Sequence, residues 1–419
     1  MRHLSSSRGD APPAHRVGWG FVVSYALAYM SIALMLIAPL LVTLALKVRS
    51  LVGVDQAPGY LALVTGIGGL LALIGNPLFG RLSDRTSSRL GMRRPWMLAG
   101  LVGGCLGILL VAVAPSIPVV LAGWCVAQLF FSALQSALVA VLPDQVPVAQ
   151  RGMVSGVLGV CLPIASVSGT FLVQLFAGNQ VAMFLAPCAI GGSLVLLFLV
   201  MLEDRRLAPA VKPPWSLRDF VGAFYFNPRR SPDFAWAFAG RFLFISAYAF
   251  LTTYQAYYLI DRIGSTEAEV PRQIFVATLV QSVVLVVASL AGGRLSDRTG
   301  RRKVFVAAAS TVYGVAMFGV AVASDFNAFL VAVAISGLGF GMYMAVDLAL
   351  VTDVLPDTEN AAKDLGVFNM ANALPYAFAP AVAPAILAAS GGSYGVLYAV
   401  AGICAILGAL AIVPVKGVR

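Results

Sequence analysis

Of the 419 residues, 60% are apolar and only 11% are charged, and the mean hydropathy is +0.90. Such a chain cannot be a water-soluble globule, because its polar residues are too few to cover the apolar ones. The net charge of +10 is accounted for below by its distribution about a membrane, which leaves nucleic acid unneeded as a partner.

In chain order, residues 1–17 mix Ser, Pro and Arg with both histidines, His3 and His15. They read as a disordered tail, and not as a signal peptide, since no short apolar core ends in a cleavage site. Twelve apolar blocks follow, at 18–46, 60–79, 95–114, 117–141, 153–177, 181–202, 234–260, 271–291, 303–323, 327–351, 364–388 and 394–415. Each is long enough for the roughly 20 helical residues that cross about 30 Å of hydrocarbon. They are too long for barrel strands, and a helix satisfies its backbone groups where water is absent.

With both termini on one side, that side holds 23 of the 28 basic residues. Lys47, Arg49, Arg262 and Arg272 fall on the other, and Arg241 lies inside a span. The bias of Lys and Arg predicts both termini to be cytoplasmic in a multi-pass protein of the cell membrane. The longest polar stretch, 203–233, divides six spans from six. Its Trp215, Leu217 and Phe220 suit either a surface helix or a plain linker. The expected domains are thus a tail (1–17), a six-helix bundle (18–202), a cytoplasmic linker (203–233) and a second six-helix bundle (234–419). The five cysteines, Cys105, Cys125, Cys161, Cys188 and Cys404, all sit in apolar blocks and read as packing residues, with neither disulfide nor metal.

Two strings carry the organisation. GRLSDRT starts at Gly80, and after four added residues the turn runs on through Gly91, Arg93 and Arg94; GRLSDRTGRRK starts at Gly293. Each sits between two spans. ALQSALVAVLPD, from Ala133 to Asp144, is matched by AVDLALVTDVLPD, from Ala345 to Asp357. The repeat is therefore six spans long. These residues resemble the signature of the major facilitator superfamily, which stands between spans two and three and again between eight and nine. The longer first turn, SDRTSSRLGMRRPW, is similar to that of glycoside–pentoside–hexuronide and sucrose-transporter-like carriers. Span one lacks the charged signatures of those groups.

The resemblance implies an all-α membrane protein, two pseudo-symmetric six-helix bundles and transport by alternating access. It implies a latch in the turns: Gly80 and Gly293 for close helix approach, Asp84 and Asp297 facing helix N-termini of the opposite half, and Arg85 and Arg298 reaching Asp144 and Asp357. It further implies a cavity lined by spans one, four, seven and ten. On those spans and on span eleven, the candidate substrate-binding residues are Tyr25, Tyr29, Trp124, Gln128, Gln135, Tyr248, Thr252, Gln255, Tyr343, Asn369, Asn372 and Tyr376. Amides that donate and accept, beside aromatic faces, suit a neutral polyol. The competing reading of these side chains is interhelical bonding and interfacial tyrosine belts.

Two ionisable residues lie deep in spans at comparable depth, Arg241 in span seven and Asp347 in span ten. Either Asp347 takes up and releases a proton with Arg241 as its conditional partner, or the two form a permanent buried bridge or Arg241 snorkels to the headgroups. The functional expectation is proton-coupled uptake of a small neutral polar solute such as a sugar or glycoside. The alternatives are drug or metabolite efflux by proton antiport, or a uniporter. Span five lacks the Gly-Pro pair of antiporters, and no histidine or nucleophile–base arrangement in the spans suggests an enzyme. Expected partners are the solute, protons and the lipid bilayer, with no cofactor, and a monomer is sufficient.

Overall fold

The computed structural model describes residues 16–204, 231–353 and 361–415, without the side chains of 348–349, 351–353, 361–367 and 369. Within them the chain is helical: α1 (Trp19–Ala38), α2 (Leu44–Asp84), α3 (Arg94–Val113), α4 (Ile117–Gln145), α5 (Val148–Leu175), α6 (Gln180–Met201), α7 (Pro232–Asp261), α8 (Val270–Thr299), α9 (Arg302–Val322), α10 (Phe326–Asp353), α11 (Ala361–Ala389) and α12 (Tyr394–Ile412). A π-helical turn, Pro39–Thr43, joins α1 to α2, with the Leu44 N–H reaching back five residues to the Pro39 carbonyl.

Helix continues from Trp19 to Asp84, 66 residues. At 1.5 Å per residue that is about 100 Å, three times the hydrocarbon thickness. It is broken at Gly53, whose φ of 76° lies in the left-handed region. A residue without a Cβ takes that conformation at no steric cost, and the chain turns back there. The segment therefore crosses twice, and with the other ten helices it makes twelve crossings among the described residues. The solvent of the outer surface is lipid, so large apolar side chains face outward: Val200 is 82% exposed and Val322 76%.

In the first half α3 and α2 pack on α4, and α1 packs on α5 and α6; in the second half α8 and α9 pack on α10, and α12 packs on α9 and α7. The halves meet along α2 with α11 and α5 with α8. Small residues let them approach: a Cβ on Gly69 would stand 3.1 Å from the Ala377 backbone nitrogen.

The two ends differ. At the end away from the termini, contacts cross from half to half. Arg49 bonds Asp261 at 2.7 Å and Glu267 at 3.2 Å. Tyr257 donates to the Ala45 carbonyl at 2.9 Å, and Phe171 meets Phe275 with centroids 5.5 Å apart. Tyr257 is thus wholly buried in the seam, not in an interfacial belt. At the end carrying the termini, the ion pairs among the described residues stay inside one half.

Candidate functional site

A cavity of about 440 Å³ lies between α5, α7, α8 and α10, with Leu41 of the π-helical turn at its edge. Among the described residues no charged side chain lines it. Its polar groups are Ser166 on α5, Tyr248, Thr252 and Gln255 on α7, and Thr278, Gln281, Ser282 and Ser289 on α8. Tyr248 and Phe340 form an aromatic wall, centroids 4.4 Å apart. On α5, Gly156 and Gly159 leave open space, with nothing within 4 Å of where a Cβ would stand.

Two turns nearer the termini, α7 and α10 carry the ionisable pair. Arg241 donates to Asp347 from Nη1, and its Nε donates to Asn372 Oδ1 on α11 at 2.8 Å. The guanidinium lies 4.7 Å from the Phe368 ring centroid, a cation–π contact. Both charges are buried, at 8% and 3% exposure, and together these contacts offset the desolvation that a lone charge would suffer here. Tyr343, one turn from Asp347, stacks on Phe244 at 3.7 Å. Its hydroxyl is near enough to the carboxylate to interact electrostatically, but makes no hydrogen bond of normal geometry.

Of the substrate-binding candidates whose side chains are described, the structure brings Tyr248, Thr252 and Gln255 to the cavity and leaves the others elsewhere. Tyr25 is fully buried and donates to the Leu138 carbonyl at 2.9 Å, between the Phe21 and Phe198 rings. Trp124 fills a notch over Gly68, where a Cβ would come within 2.5 Å of the indole, and Gln128 covers the same glycine. Tyr29, Gln135 and Tyr376 are half-buried and do not line the cavity. Asn372 and Tyr343 belong to the Arg241–Asp347 surroundings, and the side chain of Asn369 lies outside the described residues. The face missed in the sequence is that of α8. Thr278, Gln281, Ser282 and Ser289 fall three, one and seven residues apart, which puts them on one side of the helix.

The first turn is organised differently from the expected latch. Arg93, not Arg85, reaches Asp144, at 2.9 Å, and it also bonds Asp84 at 2.6 Å and the Ser83 hydroxyl. Asp204, just after α6, accepts from the backbone N–H of Arg93 at 2.7 Å and of Arg94 at 2.8 Å, capping α3. Gly91 is held at φ 104° against that carboxylate, with a would-be Cβ 2.2 Å from it. Asp84 therefore pairs within its own half here. A Cβ on Gly80 or Gly293 would meet Ser136 or Ala345 at 3.9 and 3.7 Å, an ordinary contact, so neither glycine is sterically required. In the second turn Gly300 ends α8 in the left-handed region at φ 63°. Asp297 and Arg298 are exposed, and Asp357 lies outside the described residues.

Twelve crossings, a six-span repeat and a charge-free cavity between the halves define a membrane transporter. The sequence profile of the Major Facilitator Superfamily matches residues 17–283 and 271–417, and the chain belongs to that family. One curated relative is a probable 4-methylmuconolactone transporter of Cupriavidus pinatubonensis (strain JMP 134 / LMG 1197), 35% identical over 130 residues. That match spans 30% of this chain and 28% of the relative. Among solved structures, the fold is similar to the nucleoside transporter NupG (TM-score 0.75, 13% identity, 94% and 98% of the two chains covered). It is similar also to a D-xylose–proton symporter (0.69, 14%, 96% and 99%) and to an inward-facing bacterial homologue of the human lysosomal transporter Spinster (0.69, 14%, 94% and 94%).

Proposed function

We propose that the protein carries out proton-coupled uptake of a small neutral polar solute, a sugar or glycoside, across the cell membrane, as a monomer with cytoplasmic termini. One observation carries this reading. The charge-free cavity is built on α7 and α10, the helices that also hold the Arg241–Asp347 pair. A cavity without fixed charge favours a neutral occupant, because an ion would lose its hydration without compensation. Gln255 and Tyr248 supply hydrogen bonds and an aromatic face to such an occupant.

Coupling follows from the shared helices. A proton on Asp347 removes one charge of a buried pair and leaves Arg241 uncompensated, at a cost of several kcal/mol. Arg241 then holds to Asn372 and Phe368 on α11, and α7 can shift against α10. The halves 18–202 and 234–419 rock about the cavity. In this reading Arg49, Asp261 and Tyr257 close the end away from the termini, as an inward-facing conformation requires.

The test is accumulation of labelled monosaccharide, disaccharide and glycoside by proteoliposomes under an inward proton gradient. Accumulation should collapse with a protonophore and vanish in Asp347→Asn, while solute counterflow persists. Equilibration without accumulation would make the protein a uniporter, and proton-driven extrusion of lipophilic cations would move it to efflux. A second reading, a lactone as solute, is favoured by the likeness to the probable 4-methylmuconolactone transporter.

A further inference from the structure

Among the polar residues on the cavity face of α8, Gln281 is tied to a neighbouring helix by a bond that fixes its orientation. Its Nε2 donates to Ser336 Oγ on α10 at 2.9 Å. Ser336 is fully buried, and its own hydroxyl donates to the Val333 carbonyl at 2.7 Å. A serine hydroxyl has one proton to give. With that proton given to Val333, Ser336 meets Gln281 as an acceptor. The amide nitrogen is therefore the atom turned to α10, and Oε1 is the atom left to the cavity.

Backbone contact holds the two helices at this height. A Cβ on Gly337 would stand 2.6 Å from the Gln281 carbonyl oxygen, and one on Gly341 2.2 Å from that of Leu285. A flipped amide would draw the Ser336 proton away from the Val333 carbonyl and forfeit that bond, so the orientation seen is the favoured one. Two other lining hydroxyls also spend their protons on their own helices. Thr252 donates to the Tyr248 carbonyl at 3.1 Å and Ser166 to that of Leu162 at 3.0 Å. In this arrangement both present lone pairs to the cavity.

We infer that Gln281 is a specificity-determining residue, offering a fixed acceptor that selects solutes with an O–H or N–H donor, and that Ser336 is its positioning residue. The inference rests on the neutral-solute reading and deepens it. A polyol or glycoside gives the Gln281 acceptor a donor. The ring ester of a lactone, which only accepts, leaves that acceptor unanswered.

The experiment is ligand-induced thermal stabilisation of the full chain in lipid nanodiscs. The probes are methyl β-D-glucoside, its four monodeoxyfluoro analogues, which keep size and lose one donor, and δ-valerolactone. Wild type should bind the glucoside at least about tenfold more tightly than one of the fluoro analogues, as expected when a buried polar group loses its partner. Ser336→Ala should keep binding while that ratio falls to about twofold, because the amide is then free to turn. A packing role alone would change affinity without changing the ratio. Gln281→Leu should remove the same discrimination. Fluoro analogues that all bind like the glucoside, or a ratio unchanged in Ser336→Ala, overturn the inference and leave the neutral-solute reading standing. Stabilisation by δ-valerolactone alone does the same. Stabilisation by none of these probes overturns both.

Discussion

Gln135 on α4 and Asp347 on α10 hold matching places in the repeated stretch, yet the halves around them are put to different uses. In the first half the polar and aromatic side chains are spent on packing. Tyr25 donates to a carbonyl of α4, and Trp124 and Gln128 fill the notch at Gly68. Toward the cavity that half offers glycines, apolar residues and Ser166. In the second half, Tyr248, Thr252, Gln255 and the α8 face line the cavity, and α7, α10 and α11 hold the ion pair. A duplicated backbone thus carries an undivided set of chemical groups. The first half gives the cavity mostly glycine and apolar surface, and the second gives it most of its polar groups.

The sharpest way to break this comparison is at its matching positions. Asp347→Asn should reduce proton-driven accumulation at least about tenfold, as expected when the coupling group cannot ionise. Gln135→Leu should leave it within about twofold, since that side chain does not line the cavity. Equal losses in transport assays of the two variants would mean that the halves share the work.

Stability gives the next largest contrast. Arg241→Ala leaves Asp347 buried without its partner and should cost about 3–5 kcal/mol in the unfolding free energy. Replacing both members by Met and Leu should recover most of the loss, read as melting temperature in detergent. Glycines come next. Gly107→Ala would bring a Cβ within 2.5 Å of the Ala127 backbone nitrogen and should cost about 1–3 kcal/mol by overpacking. Gly156→Ala points into open space on α5 and should leave stability unchanged while altering the apparent affinity for solute.

The smallest effect is at the far end. Glu269 accepts from the Thr266 N–H at 2.9 Å and from its hydroxyl at 2.8 Å, and these bonds, backbone first, hold its pKa below the usual carboxylate value. A folded-state pKa below the unfolded one means that the stabilisation is present above the unfolded value and is lost as pH falls through the folded one. Glu269→Gln should therefore flatten slightly the acid limb of a plot of melting temperature against pH.

Much of this was legible in the sequence, for reasons that differ by feature. The spans follow from hydrocarbon thickness and apolar run length, and the merged helix from Trp19 to Asp84 conceals two of them until Gly53 is seen to break it. Arg241 and Asp347 could be matched in advance because two buried charges at one depth have few other ways to be compensated. The role of Arg93 was hidden. Any of five arginines in the first turn could reach Asp144, and only the turn geometry set by Gly91 and Asp204 chooses one. The α8 face was missed because serine, threonine and glutamine inside a span are as often interhelical bonds as lining residues, and periodicity does not separate the two.

The central claim joins the α7–α10 cavity to a proton on Asp347. Its most direct test is solute-induced charge movement on a solid-supported membrane carrying proteoliposomes, with a sugar and glycoside panel at two pH values. The account predicts an inward positive current for at least one neutral solute in wild type, larger at the lower pH, and no such current in Asp347→Asn despite retained counterflow. A current undiminished in Asp347→Asn, or one evoked only by lipophilic cations, would contradict it.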